Sequence, residues 1–285
     1  MSKLKIAVQK SGRISEKSLG LIAECGIKLS NGDRKLKAEA KNFPLEILFL
    51  RDDDIPQYVE QGVADAGIVG ENEVRENGRN IRVVEKLGFA ACRLSLAIPK
   101  DEEYTGLLWF TNRKIATSYP KILRKFFKEK QIKVRIEDIG GSVEIATGIG
   151  LSDAIFDIVS TGSTLLMNGL KEVEVVMKSE AVLVACNDIT EEKQQILNSL
   201  NFRIKAVKGA AENKYILLNA PNAAIPEICN ILPGIKAPTI LPLAGKGWSS
   251  LHSVVREDEF WDIIGRLKNL GAQGILVVGI EKMVV

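Results

Sequence analysis

The run Asp153-Ala154-Ile155-Phe156-Asp157-Ile158-Val159-Ser160-Thr161-Gly162-Ser163-Thr164-Leu165 sets two acids and an apolar strand ahead of a turn rich in hydroxyls. Such a strand and turn form the kind of cradle in which α/β proteins hold a phosphorylated sugar. Gly162 frees the backbone to turn so that successive amides point inward as an anion nest, and Ser160, Thr161, Ser163 and Thr164 contribute hydroxyls. A helix beginning beyond Thr164 adds free amides to the same site. Asp153 and Asp157 stand four residues apart, in place to anchor ribose hydroxyls or a divalent ion. The plainer alternative for Asp153 is a loop or helix-cap acid. A serine-threonine-glycine turn alone is a weak signal; the strand and acids before it make it a candidate phosphate site.

Three more polar loops follow strands, where open α/β sheets bind ligands. In Gln9-Lys10-Ser11-Gly12-Arg13, Lys10 and Arg13 can hold a polyphosphate and Gly12 permits close approach, unless the loop is simply an exposed basic one. Arg51-Asp52-Asp53-Asp54 is either a salt-linked cap or, buried in a cleft, a clamp for a charged substrate. Glu71, in Gly70-Glu71-Asn72, either positions an amine or hydroxyl or caps its loop. The single histidine, His252, lies in the alternating Ser250-Leu251-His252-Ser253 and reads as structural, whereas Cys92 reads as packing and Arg93 as a hinge or substrate contact. With one histidine, neither a histidine-built metal site nor a catalytic triad is easy to assemble.

The elements that position these loops alternate. A strand over 4–8 leads to a helix over 15–25, with Ser15 as its cap and Gly26 as its stop. A strand over 45–50 precedes a helix carrying Pro56 in its first turn, and a strand over 66–69 follows. This repetition predicts a mostly parallel sheet covered by helices. A second unit starts near Ala91, with strands over 94–98, 114–117, 132–136 and 156–159. Ser118 caps one of its helices and Gly140-Gly141-Ser142 opens another. Segments 173–177 and 181–185 then carry the chain back, and Asp188 caps a long helix through Leu200. Two lobes joined by more than one crossing strand leave a ligand cleft between them. From Lys214 the pattern becomes strand 215–218, helix 225–232, strands 239–241 and 250–255, helix 257–270 and strand 274–278, the β-α-β-β-α-β order of a ferredoxin-like unit. The expected architecture is therefore α/β, with lobe I in residues 1–90 completed by about 184–210, lobe II in 91–183, and a C-terminal unit in 211–285.

At 285 residues, 46% hydrophobic and 26% charged, the chain has room for two or three modest domains with real cores. A net charge of +3 with no concentrated basic face argues against nucleic acid. The densest basic stretch, 121–130, includes Glu129 and reads as a solvated helix surface. Cys25, Cys92, Cys186 and Cys229 show no CxxC spacing, no stretch has the length and apolarity of a bilayer span, and Met1-Ser2-Lys3-Leu4-Lys5 lacks the pattern of a signal peptide. The expectation is a cytoplasmic protein with reduced thiols and no membrane partner.

Several segments together resemble one family: 1–13, Arg51-Asp52-Asp53-Asp54-Ile55-Pro56, Gly67-Ile68-Val69-Gly70-Glu71-Asn72, 157–170, Pro238-Thr239, Gly245-Lys246-Gly247-Trp248 and Ile280-Glu281-Lys282-Met283. The chain is similar to the long form of ATP phosphoribosyltransferase, the first enzyme of histidine biosynthesis. That resemblance implies a bilobal catalytic region similar to type 2 periplasmic binding proteins and a C-terminal ACT-like unit that binds histidine as a feedback inhibitor. It implies transfer of the 5-phosphoribosyl group of phosphoribosyl pyrophosphate (PRPP) to N1 of the ATP adenine, with Mg2+ present and pyrophosphate released. On this resemblance Asp157 through Leu165, with Asp153, surround the PRPP phosphate and ribose. Lys10, Gly12, Arg13 and Glu71 lie near the nucleotide or pyrophosphate, and Arg51, Asp53 and Asp157 form the catalytic face. Asn219, Thr239 and Ser250 mark the approximate effector region, and the assembly runs from dimer to hexamer. Ring N1 is already a nucleophile, so no histidine base is required; direct displacement with inversion is the expected course. The competing classes are a cytoplasmic small-ligand sensor and a non-catalytic regulatory subunit with the same bilobal fold.

Overall fold

The computed structural model describes residues 2–30, 36–232 and 234–284. Met1 of the expected first segment, residues 31–35, and Pro233 and Val285 of the expected C-terminal unit lie outside the described residues. The chain packs as two units, Met1–Gly20 with Ile27–Leu197, and Leu21–Gly26 with Asn198–Val285.

The first unit opens with β1 (Leu4–Gln9), α1 (Arg13–Glu24), β2 (Lys37–Glu39), β3 (Leu45–Leu50), α2 (Ile55–Glu60), β4 (Ala66–Gly70), α3 (Glu71–Asn77) and β5 (Ile81–Lys86). It continues through β6 (Cys92–Pro99), β7 (Lys114–Thr117), α4 (Pro120–Glu129), β8 (Arg135–Asp138), β9 (Ala154–Val159), α5 (Ser163–Met167) and β10 (Leu170–Ser179). Then β11 (Ala181–Cys186) returns to the first sheet and α6 (Glu191–Ala211) follows. Lobe I is the sheet β2-β3-β1-β4-β11-β5 and lobe II the sheet β10-β6-β9-β7-β8. β1, β4 and β11 are central strands, buried along nearly their whole length, which is why they read as continuous apolar runs.

The expected mostly parallel sheet is instead mixed. β1 runs parallel to β3 and β4, but β11 runs antiparallel to both β4 and β5, and β2 antiparallel to β3. The cause is the route of the chain: β10 passes into β11 through Glu180 alone, and a strand that returns without a crossover helix enters from the opposite end. A second crossing, residues 87–91, joins β5 to β6.

Several helix starts also differ from expectation. α1 begins at Arg13, because Gly12 with φ +96° makes the turn, and Ser15 is buried within the helix. Ser118 does not cap α4; its hydroxyl donates to the Ile139 carbonyl at 2.7 Å. Gly140-Gly141-Ser142 leads only to a single 3-10 turn, Val143–Ile145. The strand expected over 132–136 is shifted to β8, and α6 starts beyond Asp188, at Glu191.

The second unit contains β12 (Asn213–Pro221), α7 (Ile225–Ile231), β13 (Thr239–Pro242), β14 (Trp248–Arg256), α8 (Phe260–Asn269) and β15 (Gln273–Gly279). Its sheet, β13-β14-β12-β15, is antiparallel throughout, so the ferredoxin-like order is realised in space as well as in sequence. Alternation sorts the faces: Ile216, Leu218, Ala220, Leu251 and Val255 pack with Ile228 of α7, Leu232 just beyond it and Leu267 of α8. Among the described residues no helix is long and apolar enough to cross a membrane.

Candidate active site

The lobes of the first unit face each other across a cavity of about 340 Å³. Lobe I supplies Gln9, Arg13, Lys17, Asp52, Asn72 and Glu73; lobe II supplies Cys92, Tyr119, Ile158 and Ser160, and the crossing adds Ala90 and Ala91.

On the lobe II wall, β9 lies between β6 and β7 with Ile155, Phe156 and Val159 buried, a rigid base for the turn that follows. Gly162 has φ +83°, the left-handed conformation a side chain resists, and it starts α5. The hydroxyls of Thr161 and Ser163 are 2.9 Å apart, and Ser160, Thr161, Ser163 and Thr164 are all exposed. Leu165 is different: its side chain is packed among Ala97, Ala116 and Ile155, so only its backbone faces the turn. Arg93 fixes the turn from behind. Its guanidinium pairs bidentately with Glu172 at 2.5 and 2.6 Å and donates to the Ser160 carbonyl at 3.1 Å. The expected hinge or substrate contact is thus an anchor for the turn.

Asp157 lies half-buried on β9, where burial pushes its carboxyl up to about 6 against the opposing pull of the Ile158 amide, which donates to it at 2.7 Å. Asp153 does not join it. Its carboxylate accepts from the Lys114 amide at 2.8 Å just before β9, and four extended residues put roughly 13 Å between the Asp153 and Asp157 backbones. The loop-acid alternative matches this geometry, and Asp153 stands apart from the turn that follows β9.

On the lobe I wall, Lys10 is exposed at the end of β1, with its amide bonded to the Leu50 carbonyl at 2.8 Å. Arg13 and Lys17, one turn apart on α1, both line the cavity. Lys17 was missed by the sequence reading, although its spacing from Arg13 was the available signal. Arg51 and Asp53 bond each other through two contacts of 3.2 Å and are largely exposed. The pair is a salt-linked turn outside the cavity lining; the acid of that cluster that lines it is Asp52, 3.5 Å from Gln9 Nε2. Glu71, expected in a loop, is buried at the first position of α3 and ion-paired with Arg75 and Lys86 at 3.2 and 3.1 Å. It lies along the neighbouring crossing rather than in the main cavity.

Asn72 and Glu73 occupy the floor. Gly70 makes room for them, since a Cβ there would run into Asn72 Oδ1. Glu73 accepts from Asn72 Nδ2 at 2.9 Å and from the Tyr119 hydroxyl at 3.0 Å. Burial lifts the Glu73 carboxyl to about 7, partly offset by the tyrosine hydrogen bond and reinforced by the charges of Asp52, Asp53 and Glu76. The Tyr119 hydroxyl is pushed well above its ordinary range, first by burial and then by Glu73. No sequence motif marked this pair, because it exists only when the lobes meet. Among the described residues no cluster of three histidine, cysteine or acidic groups could cage a metal.

In the second unit, Asn219 and Ser250 are directly opposed on β12 and β14, and Thr239 opposes His252. All four lie on the face away from α7 and α8. His252 engages both ring nitrogens, Nδ1 with the Tyr215 hydroxyl at 2.9 Å and Nε2 with Ser250 at 3.2 Å. Thr239 and His252 line a pocket of about 290 Å³, whereas Asn219 and Ser250 do not.

Two α/β lobes crossed twice by the chain, with strand-end loops lining the gap, define a fold of the periplasmic-binding-protein type, whose cleft suits a small polar ligand. A solved structure, Tv2483 bound to L-arginine, shares this fold with a TM-score of 0.50 at 13% identity, over 71% of this chain and 84% of that one. The relationship narrows with sequence. A family model described as ATP phosphoribosyltransferase matches residues 51–206, and one described as HisG, C-terminal domain, matches residues 210–282. ATP phosphoribosyltransferases from Phocaeicola vulgatus and Bacteroides thetaiotaomicron are 59% and 57% identical, each over 99% of this chain and over 99% and 100% of their own lengths. The ATP phosphoribosyl transferase (HisG:HisZ) complex from Thermotoga maritima superposes with a TM-score of 0.60 at 28% identity, over 71% of this chain and 98% of that one. The chain belongs to the ATP phosphoribosyltransferase family.

Proposed function

We propose that this chain transfers the 5-phosphoribosyl group of PRPP to N1 of the ATP adenine and releases pyrophosphate, the first step of histidine biosynthesis. The observation that carries the reading is the β9–α5 turn: a left-handed glycine, exposed hydroxyls and first-turn amides after a rigid central strand, with Ser160 at its start lining the inter-lobe cleft that Arg13 and Lys17 also line.

In this reading the amides and hydroxyls of residues 160–165 take the PRPP 5-phosphate, and Asp157 accepts from the ribose hydroxyls. Arg13, with Lys10 and the added Lys17, faces the pyrophosphate or the nucleotide phosphates. The N1 lone pair forms the bond to the anomeric carbon while the bond from that carbon to the pyrophosphate oxygen breaks. Pyrophosphate leaves with the electron pair, and the adenine ring gains the positive charge. The enzyme then supplies alignment and charge stabilisation rather than a general base. The donor set suits Mg2+ carried largely by substrate phosphates, with Asp52 or Asp157 completing its oxygen ligands, since that ion needs only one or two carboxylates besides phosphate. When bound, it neutralises the leaving pyrophosphate.

The open face of the second sheet, around Asn219, Thr239, Ser250 and His252, is where histidine binds as inhibitor, coupled to the cleft through rearrangement. We further propose a cytoplasmic enzyme that assembles as dimers and hexamers. Incubation with ATP, PRPP and Mg2+ tests the activity: a new purine absorbance with stoichiometric pyrophosphate is the expected result. Binding without turnover favours the sensor or non-catalytic-subunit reading. Direct displacement is excluded if a covalent ribosyl-enzyme can be trapped, and histidine regulation fails if a histidine titration leaves the initial rate untouched.

A further inference from the structure

Helix α4 lacks a cap of its own. Pro120 has no amide hydrogen, and Tyr119 before it makes no side-chain cap bond, so the first-turn amides of Lys121 and Ile122 need acceptors from elsewhere. They find them in the other lobe. Glu76, half-buried on α3, accepts from Lys121 N at 2.9 Å with Oε1 and from Ile122 N at 3.0 Å with Oε2. The Lys121 ammonium returns the contact, donating to the Asn77 carbonyl at 3.2 Å. One turn earlier on α3, Asn72 and Glu73 hold the Tyr119 hydroxyl, and Asn72 exchanges two bonds with Ser179 beside the Glu180 crossing, at 3.0 and 2.9 Å.

We propose that α3 is an inter-lobe clasp and that Glu76 is its positioning residue: by capping a helix of lobe II from lobe I, it fixes the gap between the lobes and seats Tyr119 at the cleft floor. A carboxylate spanning two backbone amides is a charge-assisted pair of bonds with defined geometry, unlike the tolerant contact of two exposed side chains. Its place beside one of the two crossings matters, because contacts near a hinge limit rotation of everything beyond it. The inference rests on the transferase reading in one respect: if the phosphoribosyl donor sits on the lobe II turn and the nucleotide against the lobe I loops, the gap is the distance between the reacting atoms. The turn that takes the 5-phosphate lies wholly in lobe II, so with the lobe I cations on the nucleotide phosphates, loosening the clasp leaves donor affinity in place and disturbs the chemical step. A misplacement of about 1 Å is enough to lower a rate on the order of a hundredfold.

The test compares Glu76→Ala and Glu76→Gln with the parent full-length protein by amide hydrogen exchange and by steady-state kinetics. In Glu76→Ala, exchange at Lys121 and Ile122 accelerates, kcat falls about tenfold, and KM for PRPP stays within about twofold. Glu76→Gln retains an amide-oxygen acceptor and recovers part of both effects. Unchanged exchange at those two amides overturns the clasp. Faster exchange with unchanged kcat overturns the positioning role and leaves a local helix cap. A parent protein that binds but does not turn over ATP and PRPP strikes the transferase reading instead, and the exchange measurement still reads the clasp.

Discussion

The β9–α5 turn and the α3–Tyr119 corner contribute to facing walls of one cleft and use their polar groups in opposite ways. In the turn, the Thr161 and Ser163 hydroxyls bond each other and remain exposed. At the corner, Asn72, Glu73, Tyr119 and Ser179 form a continuous buried or half-buried network that reaches both lobes. Exposed hydroxyls lose nothing while they wait for a ligand, because water serves them. A buried carboxyl must be partnered within the protein, since an unpaired one costs several kcal/mol. One wall is thus organised to be filled and the other to stay fixed as a reference.

The comparison breaks most visibly at Gly162. Gly162→Val forces a branched side chain into the left-handed region, at roughly 1–3 kcal/mol of strain, and turns the amides away from their common target. We expect kcat/KM for PRPP to fall about a hundredfold, the usual scale for losing preorganised donors, as measured by initial rates at varied PRPP. A second contrast separates the two acids. Asp157→Asn lowers kcat/KM about tenfold or more, whereas Asp153→Asn, which keeps an amide oxygen to accept from the Lys114 amide, leaves it within about twofold and costs no more than about 1 kcal/mol of stability. Equal losses from the two substitutions would place Asp153 in the site beside Asp157.

A pH series sharpens the description of the fixed wall. The Glu73 carboxyl titrates near 4.5 when unfolded and near 7 in the fold, so the folded state holds its proton more tightly. The stability this confers is complete below the unfolded value and is lost as pH rises through the folded one. Glu73→Gln does not titrate, so its melting temperature should rise relative to the parent's between about pH 5 and about pH 8, by up to several degrees for a shift of on the order of 2–3 kcal/mol. A constant difference across that range would mean the carboxyl is not buried in solution. The smallest effect is expected at Arg51. Its pair with Asp53 is exposed, so Arg51→Met should cost no more than about 1 kcal/mol by denaturant unfolding, and less at high salt.

What could be read from the chain depended on how local the cause was. The turn at Ser160–Thr164 was legible because a strand, a glycine and hydroxyls are consecutive in sequence. The ferredoxin-like order was legible because strand alternation and helix periodicity do not require knowledge of partners. Lys17 was within reach through its spacing from Arg13. Glu73 and Glu76 were not: each resembles any helix-surface acid until α4 and Tyr119 of lobe II meet it. Asp153 stands apart from Asp157 for the same reason in reverse, since closeness in sequence along an extended strand means distance in space. The mixed sheet was missed because apolar runs reveal burial but not direction.

The return of β11 also determines when lobe I can exist. β11 lies between β4 and β5, and it is made only after the whole of lobe II. A nascent chain released as far as residue 90 carries strands on both sides of a gap that it cannot yet fill. Lobe I therefore closes late, through pairings far apart in sequence, and the slow stage of folding should be the insertion of residues 181–186 rather than formation of any helix. A fragment ending before β11 should remain incompletely folded, whereas lobe II, whose strands β6 to β10 are contiguous in the chain, can assemble while synthesis continues.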